Sequence, residues 1–232
     1  MTAKDIQKEL EALSTPEKKE FLPRFFKTGK GQYGEGDKFI GVVVPDTRKV
    51  AKSHKDISHA EIIKLLHSEY HECRLCALLI LVERFKKAKE SERKEIYEFY
   101  LSSTRWINNW DLVDLSAKDI VGEYLVDKDR AILYKLAKSE LLWDQRIAIL
   151  ATFAFIRRGD LDDIFALSQK LLRHRHDLMH KAVGWMLREA GKKDKNKLCG
   201  FLDRHRGEMP RTMLRYSLEK FSAEERAHYM RR

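Results

Sequence analysis

"HECRLCALLILVERF" spans residues 71–85, and a related segment, "WDQRIAILATFAFIR", spans residues 143–157. The two align at an offset of 72 residues, which places Arg74 over Arg146. Half of that offset leads from Arg74 to Trp110, and a further 35 residues lead from Arg146 to Lys181. Similar segments therefore recur about every 36 residues. A period of this length, with two helices per unit, is the signature of HEAT-like helical repeats.

The rest of the chain supports an all-α fold. No proline occurs from residue 46 to residue 209, and apolar residues recur there at spacings of three and four, the period of a helix. We find no sustained alternation of apolar and polar residues. We predict a HEAT-like solenoid with a concave basic face, forming one domain over 1–232. Its parts are helices in 1–28, a Gly-rich loop over 28–45, and repeats over about 46–232.

Several polar residues stand where these helices are expected to begin. Such residues cap helices because their side chains accept hydrogen bonds from the first free backbone N–H groups. The candidate N-caps are Ser14, Asp46, Ser58, Ser91, Asp127 and Asp160.

The charge distribution indicates a polyanionic partner. The 232 residues contain 46 Lys and Arg against 36 Asp and Glu, a net charge of +10. Residues 168–232 alone contain 17 basic and 8 acidic residues, a net charge of +9. A basic surplus confined to one region favours nucleic acid as the partner. The alternative is a well-solvated surface without a partner.

The composition excludes several other classes. The longest apolar run, "LCALLILV" at 75–82, is far short of the roughly 20 residues that span a bilayer. The acidic residues near the N-terminus predict neither a signal peptide nor a transit peptide. The three cysteines, Cys73, Cys76 and Cys199, are few and odd in number, which argues against a disulfide framework. They suit a reducing cytoplasm.

Three motifs have simpler explanations than a cofactor site. "GKGQYG" within residues 28–41 matches a dinucleotide fingerprint, but a predicted helix rather than a strand precedes it. We predict an ordered loop and no nucleotide cofactor. The lone C-x-x-C of Cys73 and Cys76 favours core packing over zinc. His174, His176 and His180 do not share one helix face, which favours a basic surface over a metal site.

The segment "RWINNWDLVD" at 105–114 contains the most informative side chains. On one continuous helix Trp106, Trp110 and Asp114 would form a single stripe, since residues four apart share a face. One interpretation makes the tryptophans core residues and Asp114 a solvated acid. The other places the stripe on the concave face of the repeats.

In the second interpretation the groove presents Trp110, Asp114, Arg146, Trp185 and Arg188. Aromatic faces attract cations through the ring quadrupole. A carboxylate stabilises positive charge that develops at C1′ of a sugar, and arginines hold the flanking phosphates. This set suits cleavage of an N-glycosidic bond whose base is already cationic. Such a base leaves readily, so one carboxylate is enough.

Three segments, "WINNWDLVD", "LLWDQRIAIL" and "KAVGWMLREAGKKD", resemble those of the AlkD family of DNA alkylation repair glycosylases. The segment "FFKTGKGQYGEGDKFIGVVVPDTRKVAK" is similar to the N-terminal region of many members, and the likeness covers about residues 15–215. The resemblance implies HEAT-like repeats and excision of positively charged N3- and N7-alkylated purines. It also implies capture of the lesion without flipping the base into a pocket, unlike most glycosylases.

The resemblance also implies roles for individual residues. Trp110 and Trp185 pack against the deoxyribose of the lesion, and Asp114 stabilises the sugar cation and positions the attacking water. Arg146 contacts the DNA backbone or orients the site, and Arg188 grips a phosphate. The expected DNA-contacting residues are Arg188, Lys181, Phe25 and Trp106. Phe25 stands where some members have a tyrosine, so a hydroxyl contact is lost while packing against DNA is kept.

The sequence thus predicts a monomeric, cytoplasmic DNA glycosylase that acts on alkylated double-stranded DNA. It predicts no metal, no other cofactor and no membrane partner. The alternative is a non-catalytic HEAT-like protein that binds DNA or RNA of unusual structure. A protein–protein adaptor is a third hypothesis, since most helical solenoids bind other proteins. Steep salt dependence of binding would separate the nucleic-acid hypotheses from the adaptor.

Overall fold

The computed structural model describes residues 1–231 and consists of α-helices joined by short turns. The prediction of an all-α fold is confirmed. In these residues no β-strand forms, and one isolated parallel bridge joins Lys38 to Tyr70. No helix in the described part of the chain is both long enough and apolar enough to cross a membrane.

The chain folds into two compact units, which follow each other in sequence at Ser116 and Ala117. The prediction of one domain over 1–232 stays a prediction. The helices of the first unit are α1 (Ala3–Ala12), α2 (Pro16–Phe21), α3 (Val44–Ser53), α4 (His59–Leu66), α5 (His71–Lys87), α6 (Glu90–Ser102) and α7 (Trp110–Asp114). The helices of the second are α8 (Ala131–Leu136), α9 (Leu142–Ala151), α10 (Phe153–Arg157), α11 (Asp162–Lys170), α12 (Asp177–Lys193), α13 (Lys195–His205), α14 (Arg211–Ser217) and α15 (Ala223–Met230).

Helix α5 is the centre of the first unit. Every residue from His71 to Val82 is buried, and the helix packs against α3 and α4. A helix buried on all sides shows no polar face, which explains its continuous apolar sequence. Cys73 and Cys76 lie in this core as predicted, and burial raises the pKa of both thiols.

Helix α12 is the corresponding centre of the second unit and packs against α9, α13 and α14. Its contact with α14 depends on Gly184. A Cβ atom at this position would lie 2.5 Å from the carbonyl oxygen of Met213 and 2.6 Å from Cβ of Tyr216. The absence of a side chain therefore allows the two helices to approach each other closely.

The predicted period survives in the order of the helices. Helices α5, α7, α9 and α12 begin at residues 71, 110, 142 and 177, which are 39, 32 and 35 residues apart. The segment at 143–157, which aligns with 71–85 in the sequence, does not form one helix, however. It breaks at Thr152, between α9 and α10, where a π-helical turn at Lys118–Gly122 packs against both. A Cβ atom on Gly122 would lie 2.4 Å from the carbonyl oxygen of Ala151.

The predicted helix starts were mostly wrong. Of the six candidates only Ser58 caps a helix, where its side chain accepts a hydrogen bond from the backbone N–H of Glu61. Thr15 rather than Ser14 caps α2, and the hydroxyl of Ser14 donates to the carbonyl oxygen of Ile40. Short polar residues are common in loops as well as at caps, so position alone did not separate the two uses.

Replacing Gly184 by alanine should destabilise the protein. The added methyl group meets a backbone carbonyl that cannot move aside, so we expect a loss of about 1–3 kcal/mol in the free energy of unfolding. Gly200→Ala is the matched control, because it also lies inside a helix and its Cβ would meet nothing within 4 Å. The control should gain up to about 1 kcal/mol from helix propensity. Urea unfolding of both variants tests this, and equal effects would contradict it.

Candidate functional site

The prediction that Trp106, Trp110 and Asp114 share one helix was wrong. Trp106 ends a separate 3-10 turn at Thr104–Trp106, and α7 begins only at Trp110. Asn109 separates them with an extended backbone at φ −149° and ψ 158°, and its Oδ1 accepts a hydrogen bond of 2.9 Å from the N–H of Trp110. An N-cap of this kind starts a new helix. The ring of Trp106 stacks instead on His67, with centroids 4.3 Å apart.

Trp110 and Asp114 remain together on α7, one turn apart, and both are half-buried. The ring of Trp110 stacks on Phe26 with centroids 5.4 Å apart and an interplanar angle of 16°. The buried hydroxyl of Tyr100 forms a hydrogen bond of 2.8 Å with Oγ of Ser116. Burial and the nearby charge of Asp114 raise the pKa of Tyr100, so this phenol stays neutral at physiological pH.

A buried polar network fixes the start of α7. It consists of Asp37, His71, Arg74, Asn109 and Asp111, all buried or with a buried side chain. Nε2 of His71 lies 2.8 Å from Oδ2 of Asp111. The two oxygens of Asp37 accept hydrogen bonds from Nη2 of Arg74 at 2.7 Å and from Nδ2 of Asn109 at 3.1 Å. The network therefore joins the Gly-rich loop, α5 and α7.

The charges of the network keep its histidine protonated. Burial lowers the pKa of His71, but the charge of Asp111 and the hydrogen bond to it prevail and raise that pKa from 6.5 to about 9. Nδ1 of the same ring lies 3.7 Å from Oδ2 of Asp37, too far for a direct hydrogen bond. Burial by itself would raise the pKa of Asp37. Its contact with His71 and the charge of Arg74 outweigh burial, so the pKa of Asp37 is lowered.

An aromatic stack packs against His71 of the network. Phe26 packs against Trp110, Phe39 and His71, with centroid distances of 5.4, 4.8 and 4.7 Å. The sequence predicts Phe25, not Phe26, as the DNA-contacting residue of this segment. Phe25 is 55% exposed and meets the ring of Phe21 edge-on at 5.3 Å, so the ring that supports Trp110 is the neighbouring Phe26. The contact of Phe25 with DNA stays a prediction.

The Gly-rich loop is ordered, as predicted. The buried carboxylate of Glu72 accepts hydrogen bonds from the backbone N–H groups of Ile40, Gly41 and Val42, at 2.9, 2.8 and 3.2 Å. Gly41 has φ +96° and packs against the backbone of Lys19, so only glycine fits without strain. A 3-10 helix at Leu22–Phe25 precedes the loop, whereas a dinucleotide fingerprint requires a strand.

In the second unit, α12 places three of the predicted residues on one face. Lys181, Trp185 and Arg188 follow each other at spacings of four and three, and all are half-buried. Trp185 lies beside Phe153 at a centroid distance of 6.4 Å. Nζ of Lys181 pairs with Asp177 at 2.7 Å. Arg188 pairs with Glu219 and with Glu189.

Arg146 does not lie on an exposed face. Its side chain is buried, with 4% of the residue exposed, and Nη1 donates a hydrogen bond to the carbonyl oxygen of Leu178. The repeat-equivalent Arg74 is buried in the same way, with Nη1 donating to the carbonyl oxygen of Ser68. Arg146 thus lacks the exposure that a groove-lining position would have, and its assigned role at the site stays a prediction. Arg146 joins α9 to the first turn of α12.

The three histidines that lie close together in the sequence, His174, His176 and His180, have structural partners. Nε2 of His174 lies 2.7 Å from Oε1 of Gln145, and Nε2 of His180 lies 2.5 Å from the carbonyl oxygen of His174. The side chain of His176 caps α12. Within residues 1–231 no group of three or more His, Cys, Asp or Glu side chains is arranged to hold a metal ion.

Comparisons with known proteins identify the family and the fold. The family model described as "DNA alkylation repair enzyme" matches residues 6–221. The chain belongs to this family. Among solved structures, a predicted DNA alkylation repair enzyme from Enterococcus faecalis has the same fold, with a TM-score of 0.68 at 13% identity over 90% of this chain and 97% of the other. Comparison with curated protein sequences found no match.

The pair of His71 and Asp111 should make the stability of this family member depend on pH. The folded-state pKa of His71 is raised, so the stabilisation is full below the unfolded pKa of 6.5 and is lost as pH rises through about 9. The loss should approach roughly 3 kcal/mol. Urea unfolding at several pH values between 6 and 10 measures it.

The comparison with Asp111→Asn isolates this effect. The variant removes the charge that raises the pKa of His71, so its stability should change less over the same pH range. His59→Asn replaces an exposed histidine of the same unit and should keep the wild-type pH dependence. An unchanged slope in Asp111→Asn would contradict the assignment.

Proposed function

We propose that this DNA alkylation repair enzyme is a glycosylase that hydrolyses the N-glycosidic bond of cationic N3- and N7-alkylated purines in duplex DNA. It acts as a monomer, without a cofactor and without flipping the base. Family membership supports the repair role. The observation that carries the reaction is the placement of Asp114 one helical turn after Trp110. This puts a carboxylate and an aromatic face on the same side of α7.

The support of Trp110 favours a functional use of its face. Phe26 stacks on the indole of Trp110. Asp111, the residue after Trp110, is hydrogen-bonded to the buried ring of His71. A ring held this firmly loses little conformational freedom when it binds, which is the basis of preorganisation. Its quadrupole attracts the positive charge of an alkylated nucleotide and of the sugar cation derived from it.

The chemical step balances without an acid catalyst. The C1′–N bond breaks, and its electron pair moves to the purine, whose positive charge is thereby neutralised. The positive charge left on the sugar is stabilised by the carboxylate of Asp114. Water then bonds to C1′, its proton passes to Asp114 or to solvent, and the products are a free base and an abasic site.

The roles of the residues in the second unit follow from the resemblance to the AlkD family. Trp185 packs against the deoxyribose, and Arg188 and Lys181 bind phosphates of the same duplex. Buried Arg146 keeps the start of α12 in place by its bond to Leu178. In the first unit, Trp106 and Phe25 have 39% and 55% of their surface exposed, which leaves both rings accessible for contact with DNA.

Asp114→Asn should abolish most of the base release while preserving DNA binding. The amide keeps the shape of the side chain but lacks the charge that stabilises the sugar cation, so we expect a rate loss of at least about 100-fold. Affinity should change by less than about threefold, since the charge matters mainly in the transition state. The measurement is release of free base from a duplex with one N7-methylguanine, at matched occupancy.

Asp127→Asn is the matched control, because it removes a carboxylate that is 79% exposed. It should release base at the wild-type rate. Parallel losses of rate and affinity in Asp114→Asn would give Asp114 a structural role. Salt-sensitive DNA binding without base release by the wild type would select the non-catalytic binding protein instead.

The ion pair of Arg188 and Glu219 supplies a second test, because replacing each partner should change DNA affinity in the opposite direction. Arg188→Gln should weaken binding to undamaged duplex and reduce the salt slope of log K by about one, because one phosphate contact is lost. Glu219→Gln removes a carboxylate that competes with phosphate for Arg188, so it should tighten binding. Fluorescence anisotropy over about 50–200 mM salt measures both. Weaker binding in both variants would show that the pair is structural.

A further inference from the structure

A cleft rich in arginine side chains lies in the second unit, within residues 203–231. The cleft, of about 790 Å³, forms between the end of α13, the turn after it, the start of α14 and the end of α15. Its apolar lining includes Met209, Pro210 and Leu214. The charged or titratable side chains that line it are Asp203, Arg204, Arg206, Arg211, His228, Tyr229 and Arg231.

Backbone carbonyl groups hold three of the guanidinium groups in place. Nη1 of Arg206 donates to the carbonyl oxygen of His228 at 3.2 Å, and Nη1 of Arg211 donates to that of Met230 at 2.8 Å. Nε of Arg204 donates to the carbonyl oxygen of Gly200 at 2.9 Å. Since a guanidinium carries five N–H donors, each of these contacts leaves donors for a ligand.

The positive charge of the cleft lacks acidic partners. In the described residues no carboxylate oxygen lies within 4 Å of Arg204, Arg206, Arg211 or Arg231, and Asp203 is the only acid in the lining. Some other arginines of this unit do have a carboxylate partner, as Arg130 has in Asp160 and Arg158 in Glu123. Four guanidinium groups around one opening, none with a carboxylate partner among residues 1–231, repel each other and raise the local positive potential.

We propose that this cleft is a binding site for an anion with two or more phosphate groups. Guanidinium forks match phosphate oxygens in geometry and charge. Four of them in one cleft provide more donors than a single phosphate needs. Two sources carry this chemistry: the sugar–phosphate backbone of nucleic acid and a free oligophosphate. The first source rests on the proposed function, and the second does not.

Capping of α15 alone does not explain the cluster. Only Arg206 and Arg211 bind carbonyl groups at the C-terminal end of that helix. The side chain of Arg204 bonds within its own helix, and both Arg204 and Arg231 are exposed. These two side chains can therefore be changed without loss of a contact between helices.

The test uses the full chain and titrates tripolyphosphate by calorimetry. The double variant Arg204→Gln with Arg231→Gln should weaken binding about tenfold or more. The control double variant, Arg215→Gln with Arg226→Gln, removes two exposed arginines that do not line the cleft. It should weaken binding less than about twofold. No saturable binding by the wild type, or equal weakening in both double variants, would overturn the proposal.

Undamaged duplex distinguishes the two sources. If the ligand is a nucleic-acid backbone, the cleft variant should lose more of its salt slope than the control variant does. If duplex binding is the same in both while tripolyphosphate binding is lost only in the cleft variant, the ligand is a free oligophosphate. Neither readout requires base release, so failure of the glycosylase proposal would not affect the result.

Discussion

The carboxylate of Asp37 is the point on which the first unit depends. It lies in the Gly-rich loop, yet it accepts hydrogen bonds from Arg74 on α5 and from Asn109 at the start of α7. Two buried acids, Asp37 and Asp111, face two buried bases, His71 and Arg74. Buried charge is tolerated only when it is paired and hydrogen-bonded. Each charged member is therefore compensated by the others, and together they anchor the start of the segment that carries Trp110.

The helical content and the repeat were predictable because both arise from regular spacing. Apolar residues at three and four positions apart favour helices, and α5 and α12 lie where the period places them. The break before α7 was not predictable from spacing, since Trp106, Trp110 and Asp114 fit one helix as well as two. What decides it is a bond from Asn109 to Asp37, 72 residues away in the sequence.

The candidate site shows the same division between local and long-range information. The pairing of Trp110 with Asp114 needs only one turn of helix, and it was found from the sequence. The burial of Arg146 was missed because arginine is normally exposed, and its partner is a carbonyl oxygen on another helix. Phe25 and Phe26 are chemically identical neighbours. Only the direction of the backbone shows which of them meets Trp110.

The burial of two thiols has a consequence for an enzyme that repairs alkylation damage. Methylating agents attack nucleophiles in proteins as well as in DNA, and for cysteine the reactive species is the thiolate. Cys73 and Cys76 are enclosed by the core of α5, and burial raises the pKa of each. They stay protonated and out of contact with solvent. The central helix of the first unit is thus protected from the same reagents that create the lesions this family repairs.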